Sequence, residues 1–271
     1  MSDEGASGNG TGGGASENAI EVRGVHKRFG EKIIYDGLDL DVKKGEVLTV
    51  LGPSGTGKSV LLRLIIGLQK PDAGSIEIGG TDVVPLDERG LRQMRKKVGM
   101  LFQGAALFDS MSVGDNVAYG LREHFDWQEK KITARVAECL SSVGLPGIER
   151  MRPSELSGGM KKRVGLARAL APGPEVILYD EPTTGLDPMN TRRINELIVS
   201  LKEKLGVTSI VITHDMESAF AVSDRIGLVS RGRVELVVDA GEAKKAPPRE
   251  LQAFVRGESE AGGVNDGPAA G

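Results

Sequence analysis

Short apolar runs alternate along the chain with longer segments whose apolar residues recur every three or four positions. Three of the runs, at residues 47–51, 176–179 and 209–213, are nearly continuous, which is typical of parallel strands that are covered on both faces. Between residues 188 and 205 the apolar spacing is that of one helix face. Strands that alternate with helices in this way predict an α/β fold around a parallel sheet.

The domain organisation follows from departures from this alternation. Residues 20–25 and 33–42 are strand-like and have no helical segment between them, so we expect antiparallel strands in a β subdomain beside the parallel sheet. Residues 1–17 and 257–271 are polar, glycine-rich and nearly without large apolar side chains, so they cannot bury enough surface to become ordered. We expect one folded domain over residues 18–256 between two disordered tails.

A helical insertion is predicted in the middle of the chain. After about residue 112 the strand pattern stops, and apolar residues fall at Ile132, Val136 and Leu140. This spacing is that of a helix with one buried face. We therefore expect a mostly helical subdomain at roughly residues 105–172, inserted into the α/β domain.

Charge and composition narrow the possible function classes. The 271 residues carry 35 Lys and Arg against 38 Asp and Glu, a formal net charge of −3, whereas a general nucleic-acid binder needs a basic excess. We expect no nucleic-acid partner. The single cysteine, Cys139, excludes an internal disulfide and a multi-cysteine metal site, and it fits a reducing compartment. No run approaches the roughly 18 uninterrupted apolar residues of a membrane helix.

A glycine-rich segment directly after the first apolar run carries the clearest chemistry. It matches the pattern G-x-x-x-x-G-K-[ST] of a phosphate-binding loop, with the residues Gly52, Pro53, Ser54, Gly55, Thr56, Gly57, Lys58 and Ser59. Glycines let backbone N–H groups converge on phosphate oxygens, and the following helix directs its positive N-terminus at the same point. We expect Lys58 to reach the β- and γ-phosphates and Ser59 to hold Mg²⁺. Val60 stands where many such loops have a second hydroxyl, so it contributes only its backbone N–H.

Polar side chains follow the later predicted strands. Asp180 and Glu181 come directly after the second apolar run. The carboxyl ends of parallel strands open onto the ligand crevice, so we expect Asp180 to bind Mg²⁺ and Glu181 to polarise the attacking water as general base. His214 follows the third run and is expected near the γ-phosphate or that water. Gln103, after a further short run, has an amide that could reach Mg²⁺ or water. The candidate catalytic residues are Lys58, Glu181 and His214.

A second glycine-rich element indicates a family. Ser157, Gly158 and Gly159 open a helical segment, in which Ser157 is a natural N-cap and the glycines allow an anion to approach closely. This segment resembles the signature sequence of ABC ATPases. The phosphate-binding loop, Gln103, the signature, the Asp-Glu pair and the histidine also occur in the order typical of that family.

The resemblance to ABC ATPases covers about residues 20–238 and implies features that a single chain does not display. Asp187 lies in a segment similar to the family's D-loop, and Phe29 fits the aromatic residue that stacks on adenine. In that family two copies pack head to tail, and each ATP lies between the phosphate-binding loop of one copy and the signature of the other. The resemblance therefore implies a P-loop NTPase fold, ATP and Mg²⁺ as cofactors, and a second copy of this chain as partner.

One departure from the common signature points to a subgroup. Met160 stands where glutamine is usual, and the surrounding segment resembles the ATPases of phospholipid-trafficking transporters that work with MCE-domain proteins. Residues 100–108, 115–119 and 121–124 resemble the same subgroup. The resemblance implies an ATP-hydrolysing subunit at the cytoplasmic face of the inner membrane, bound peripherally to integral-membrane permease subunits and associated with an MCE-type lipid-binding protein.

The sequence leaves other functions open. The runner-up within transporters is an importer ATPase for a polar solute, and a different class is a soluble single-cassette ABC ATPase of the iron–sulfur assembly type. A catalytically inactive nucleotide-binding regulator is disfavoured by the intact Lys58, Asp180, Glu181 and His214. The discriminating feature is the apolar loop 105–108, which either forms a docking groove for a membrane subunit or lines the local core.

Overall fold

The structure is a computed structural model that describes residues 17–258. Apart from residue 17 and residues 257–258, the two predicted tails lie outside the described residues. The strands are β1 (Asn18–Phe29), β2 (Lys32–Lys43), β3 (Val47–Leu51), β4 (Ala73–Ile78), β5 (Thr81–Asp82), β6 (Val98–Leu101), β7 (Val176–Asp180), β8 (Thr208–Ile212), β9 (Arg225–Ser230) and β10 (Arg233–Asp239). The helices are α1 (Lys58–Ile65), α2 (Glu88–Arg95), α3 (Val113–His124), α4 (Glu129–Ser142), α5 (Gly158–Leu170), α6 (Pro188–Leu205), α7 (Met216–Val222), α8 (Ala240–Lys245) and α9 (Arg249–Val255), with a short 3₁₀ helix at Pro153–Glu155.

Six strands form the main sheet, in the spatial order β10-β9-β3-β8-β7-β6. The five strands from β9 to β6 run parallel, and β10 pairs with β9 in the antiparallel sense at one edge. Every residue of β3, β6, β7 and β8 is buried, as the nearly continuous apolar runs predict for strands covered on both faces. The predicted α/β fold around a parallel sheet is therefore confirmed.

Two large hydrophobic clusters cover the two faces of the main sheet, and a smaller third cluster joins β3 and β9 to the C-terminal helices. Leu178 and Ile210 belong to the core that also contains residues of α1 and of the N-terminal strands. Their chain neighbours Ile177 and Val211 belong to the core shared with α3, α4, α5 and α6, because successive side chains of a strand point to opposite faces. With both faces occupied by protein, the strand ends are the part of this sheet that a ligand can reach.

The N-terminal strands form a separate antiparallel sheet, in the order β2-β1-β4-β5. β1 and β2 pair from Asn18 with Lys43 to Phe29 with Lys32. Ile20 and Leu38 of this pair are fully buried in the core around α1. The expected antiparallel β subdomain is therefore confirmed, and it rests on the helix that follows the phosphate-binding loop.

The segment between β6 and β7 contains α3, α4, the 3₁₀ helix and α5, as expected for a helical insertion. Ile132, Val136 and Leu140 are all buried on one face of α4. Ser112 and Ser157 cap α3 and α5, each accepting a hydrogen bond from a backbone N–H of the first turn. α5 packs against β6, which ties this region to the main sheet. None of the helices within residues 17–258 combines the length and the apolar character needed to cross a membrane.

Candidate nucleotide-binding and hydrolysis site

The carboxyl ends of four neighbouring strands bring the candidate site residues together. β3, β8, β7 and β6 lie side by side and run parallel, so the residues after them emerge at one edge of the sheet. Lys58 begins the helix after β3, and His214 follows β8. Asp180 ends β7 and Glu181 follows it, while the exposed Gln103 follows β6. The chain order of these residues differs from their spatial order, so only the sheet topology makes them neighbours.

The loop between β3 and α1 is wound tightly around its own lysine. Lys58 is 8% exposed, and its Nζ donates hydrogen bonds to the carbonyl oxygens of Gly52 (2.7 Å) and Pro53 (2.9 Å). Burial lowers the pKa of Lys58, while the two carboxylates at the end of β7 act to raise it. At Gly52 a Cβ would lie 2.4 Å from the Val229 carbonyl oxygen, so the loop needs glycine there. The loop thus holds a positive charge beside a helix N-terminus, an arrangement suited to phosphate oxygens.

The β subdomain braces this loop through a contact that no short-range sequence pattern indicates. The buried Tyr35 of β2 donates a hydrogen bond from its hydroxyl to the Gly57 carbonyl oxygen at 2.6 Å. Gly57 has a left-handed φ of 93°, and a Cβ there would lie 2.3 Å from Ile34 Cγ2. The Val60 N–H donates to the same carbonyl at 2.7 Å. The last glycine of the loop is therefore held by its own helix and by β2 together.

Oxygen atoms from two elements meet beside the lysine. Ser59 Oγ donates a hydrogen bond to Asp180 Oδ1 at 2.7 Å, which joins the first turn of α1 to the end of β7. A hydroxyl and one carboxylate are the few protein ligands that Mg²⁺ takes when phosphate oxygens and water supply the rest. Within residues 17–258, no group of three or more His, Cys, Asp and Glu side chains is arranged to hold a metal ion by itself. The residues present fit a magnesium ion that arrives with a nucleotide.

Glu181 is held at both its backbone and its carboxylate. It has a left-handed φ of 48°, which is uncommon for a residue other than glycine, and its N–H donates to the Ile212 carbonyl oxygen at 2.9 Å. The carboxylate accepts a hydrogen bond from Thr184 Oγ1 at 2.9 Å and lies 2.9 Å from His214 Nδ1. The carbonyl oxygen accepts a hydrogen bond from Lys162 Nζ at 3.0 Å. These contacts define one position for the candidate general base.

Two partners of Glu181 are absent from the sequence-based expectations. Thr184 lies three residues later, a spacing typical of local side-chain turns that could have indicated the contact. Lys162 lies in α5 and reaches Glu181 only because the helix packs beside the end of β7. His214 was expected near the γ-phosphate or the water, and its ring here contacts the carboxylate of the candidate base directly.

The signature residues form the N-terminus of α5. Ser157 caps the helix, and both Ser157 and Gly158 are exposed, whereas Gly159 is buried. A Cβ on Gly159 would lie 2.7 Å from Asn190 Oδ1, so glycine lets α5 and α6 approach closely. Asp187 caps α6 by accepting a hydrogen bond from the Asn190 N–H at 3.0 Å, and its hydrogen bonds with Asn190 lower the pKa of Asp187. The signature and the segment similar to a D-loop thus lie side by side.

Phe29 and the loop after β6 are the remaining parts of the expected site. Phe29 ends β1, is 45% exposed, and has the Lys27 ammonium 5.3 Å from its ring centroid. In the loop, Ala105 is buried, whereas Phe108 is 42% exposed and lies 4.9 Å from the Tyr119 ring, measured between centroids. The loop 105–108 therefore fits each of its two interpretations in part, because Ala105 lines the local core whereas Phe108 faces outward, as a docking surface requires.

The phosphate-binding loop follows the interior strand β3 of a parallel sheet, and the carboxylates follow β7, two strands away in the sheet. This arrangement defines a P-loop nucleotide hydrolase. Within that class the chain belongs to the ABC transporter ATPase family, because the family model described as "ABC transporter" matches residues 35–184. It is accordingly an ATP-binding protein and an ATPase, and the expected family membership is confirmed.

Two relatives show the range of transport systems to which this chain is similar. The intermembrane phospholipid transport system ATP-binding protein MlaF of Haemophilus influenzae is 41% identical over 245 residues, which cover 90% of this chain and 93% of that protein. The "Probable ribonucleotide transport ATP-binding protein mkl" of Mycobacterium leprae is 46% identical over 213 residues, which cover 79% of this chain and 61% of that protein. The chain thus spans less than two thirds of the length of the mycobacterial relative.

Solved structures agree with the fold. The ATP-binding cassette MJ0796, a dimer in a post-hydrolysis state bound to ADP and Pi, superposes with a TM-score of 0.75 at 33% identity, covering 82% of this chain and 98% of that one. The cbiO1 protein of Clostridium perfringens, part of the ABC transporter complex cbiONQ, gives a TM-score of 0.79 at 30% identity over 89% of this chain and 96% of that one. The expected ABC ATPase fold is confirmed.

Proposed function

We propose that this chain is the ATP-hydrolysing subunit of a membrane transporter that moves phospholipid or a similar lipid, and that two copies act as a head-to-tail dimer. The observation that carries the proposal is the sheet edge where Lys58, Asp180 and Glu181 converge, together with a second, exposed helix N-terminus at Ser157. In a head-to-tail dimer, the N-terminus of α1 in one copy and that of α5 in the other can face one polyanion from opposite sides. The cassette MJ0796, which is similar in fold, forms a dimer.

The hydrolytic chemistry follows from the contacts at this edge. Lys58 and the N-terminus of α1 stabilise the charge of the β- and γ-phosphates, with the backbone N–H groups of the loop from Gly52 to Gly57 around them. The Glu181 carboxylate orients the attacking water and accepts its proton. His214 keeps that carboxylate in place through the 2.9 Å contact. Phe29 stacks on the adenine ring at the exposed end of β1.

Mg²⁺ would be held by Ser59 and Asp180, which already share a hydrogen bond, with Gln103 as a further ligand. When bound, the ion neutralises phosphate charge and fixes the oxygens of the nucleotide. The partner copy contributes the signature end of α5 and the region of Asp187 beside it. Loss of the γ-phosphate removes charge from between the two helix N-termini, so hydrolysis releases the dimer.

The coupling surface is the aromatic pair formed by Phe108 and Tyr119. Phe108 is 42% exposed and Tyr119 is 39% exposed, and their rings pack on each other. An exposed aromatic pair beside the loop of Gln103 is suited to receive a helix of an integral-membrane permease subunit. We place the protein peripherally at the cytoplasmic face of the inner membrane, in a complex that includes an MCE-type lipid-binding protein.

The cargo assignment rests on the relatives. The protein MlaF matches nearly its whole length, and its name specifies phospholipid transport. A second candidate, an importer ATPase for a polar solute, is favoured by the higher identity to the mycobacterial protein named for ribonucleotide transport. Co-purification distinguishes the two, since the lipid system should bring down a permease together with an MCE-domain protein.

Dimer formation is tested with Glu181→Gln, which removes the general base and keeps the side-chain size. We expect this variant to form a stable dimer in MgATP and to stay monomeric without nucleotide, measured by light scattering after size exclusion. The matched control adds Lys58→Ala, which should abolish the ATP-dependent dimer. A monomer at saturating MgATP for Glu181→Gln would contradict the head-to-tail arrangement.

Membrane coupling is tested with Phe108→Asp. A charge on the exposed aromatic pair should release the protein from membranes while MgATP binding persists, measured by sedimentation and by nucleotide titration. Val255→Asp is the matched control, because it introduces the same charge at an apolar residue that is 61% exposed in a different element, α9. Retention of Phe108→Asp on membranes would show that the pair is not the dock.

A further inference from the structure

Lys162 is a buried cation that the proposed chemistry does not use. It lies in the second turn of α5 and is 6% exposed. Its Nζ donates a hydrogen bond to the Glu181 carbonyl oxygen at 3.0 Å. Burial of an ammonium is costly unless it is paired and hydrogen-bonded, and the charges of Glu181 and Asp180 act against the effect of burial on the pKa of Lys162. The side chain therefore occupies a specific place between the signature helix and the end of β7.

The residue that Lys162 holds is strained. Glu181 has a left-handed φ of 48°, a strained conformation for a residue with a side chain, and it persists only where the surrounding contacts determine it. The Ile212 carbonyl oxygen accepts from the N–H of Glu181, and the Thr184 N–H donates to the Glu181 carbonyl at 3.3 Å. Thr184 Oγ1 and His214 contact the carboxylate. Only Lys162 among these contacts comes from α5. It thus connects the strained backbone of the candidate base to a different part of the fold.

We infer that Lys162 is a positioning residue that fixes the carbonyl of Glu181 and makes the two ATP sites of the dimer interdependent. This inference rests on the proposed function, because the two sites face each other only in a head-to-tail dimer. There, α5 meets the partner's nucleotide at Ser157, while Lys162 on the same helix holds the base that acts on the chain's own nucleotide. A shift of α5 on binding or loss of the partner's ATP therefore reaches Glu181 through one hydrogen bond.

The direction of the effect follows from the contact. Without the ammonium, the Glu181 carbonyl loses its hydrogen bond from a charged donor and keeps the longer one from the Thr184 N–H, and the backbone of the base is no longer tied to α5. The phosphate-binding loop keeps its own contacts through Lys58 and Tyr35. The chemical step and the communication between sites should therefore suffer, while nucleotide binding is preserved.

The test compares Lys162→Met with wild type in steady-state ATPase assays of the full chain. Met keeps most of the length of the side chain and removes the charge and the donor. We expect kcat to fall about tenfold or more while KM changes less than about twofold, and the Hill coefficient for ATP to fall toward one. Lys162→Gln retains an N–H donor on a side chain shorter by one bond, so it should retain more kcat than Lys162→Met.

Lys161→Met is the matched control, because it removes the same charge from the same helix at a half-buried neighbouring position. An equal loss of kcat in Lys161→Met would show that general positive potential near the signature is responsible, and it would overturn the inference. A wild-type Hill coefficient of one, or an unchanged coefficient in Lys162→Met, would overturn the link between sites. Thermal unfolding and MgATP titration of each variant identify a folding defect. If Lys162→Met has such a defect, the kcat of Lys162→Gln is compared with that of Lys161→Gln, and an equal loss in the two overturns the inference.

Failure of the proposed function gives a different result. If Glu181→Gln stays monomeric in MgATP, the proposed head-to-tail dimer is refuted, whatever the Lys162 variants show. If Glu181→Gln dimerises but Lys162→Met keeps the kcat and Hill coefficient of wild type, the dimer stands and the role of Lys162 is refuted.

Discussion

The brace between the β subdomain and the phosphate-binding loop makes a quantitative prediction for Tyr35→Phe. The substitution removes one hydroxyl and leaves the buried ring in place. That hydroxyl donates to the Gly57 carbonyl oxygen at 2.6 Å, and the same oxygen also accepts hydrogen bonds from the N–H groups of Val60 (2.7 Å) and Leu61 (3.1 Å). The acceptor therefore stays satisfied, and the cost is one net hydrogen bond, about 0.5–1.5 kcal/mol. For a domain of this size we expect Tm to fall by about 2–4 °C per kcal/mol.

The loss should also affect nucleotide binding, because the brace fixes the last glycine before Lys58. We expect MgATP to bind Tyr35→Phe a few-fold more weakly, since the loop must be ordered at the expense of binding energy. Calorimetric unfolding and equilibrium nucleotide titration measure the two effects. Tyr119→Phe makes the same chemical change at a tyrosine that is 39% exposed and should leave both values unchanged. If Tyr35→Phe matches wild type in both assays, the hydrogen bond carries no positional role.

Two further predictions concern groups outside the nucleotide site. Arg168 donates to the carbonyl oxygens of Ala105 (2.8 Å) and Ala106 (2.6 Å), and both alanines have positive φ. Because Arg168→Ala removes hydrogen bonds to a charged group, it should lower the free energy of unfolding by about 2–3 kcal/mol, measured by urea denaturation. Arg168→Lys should recover less than half of this, because the shorter ammonium has a single nitrogen where the planar guanidinium offers a separate nitrogen to each carbonyl. Full recovery would contradict this role of the guanidinium. Burial raises the pKa of the Cys139 thiol to about 11. The contribution of the buried neutral thiol to the free energy of unfolding is therefore fully present below the ordinary thiol pKa. It is lost as the pH rises from that value toward the pKa of the thiol in the folded protein. At about pH 10 this loss is about 1–2 kcal/mol, and Cys139→Ala should remove that part of the pH dependence in urea unfolding; identical pH profiles would refute it.

Local pattern accounts for much of this molecule. The apolar runs that predict parallel strands coincide with β3, β7 and β8 to within one residue, because a strand covered on both faces must be apolar at nearly every position. The G-x-x-x-x-G-K-[ST] spacing places Lys58 at the first position of α1, since loop and helix start are contiguous in the chain. Ser157 and Asp187 cap α5 and α6 for the same local reason.

Contacts between distant parts of the chain needed the tertiary structure. The hydroxyl of Tyr35 meets Gly57, and Lys162 meets Glu181, because whole elements pack at particular distances and angles. Neither partner leaves a periodic or motif signal, and the sequence pattern of Lys162 suits a solvated helix face as well as a buried one. The left-handed backbone of Glu181 is also decided by the tertiary structure, because strain at one residue persists when several surrounding contacts determine it together. The chemistry of the site was therefore readable from short spacings along the chain, whereas the supports that hold its base and its loop in position were decided by packing.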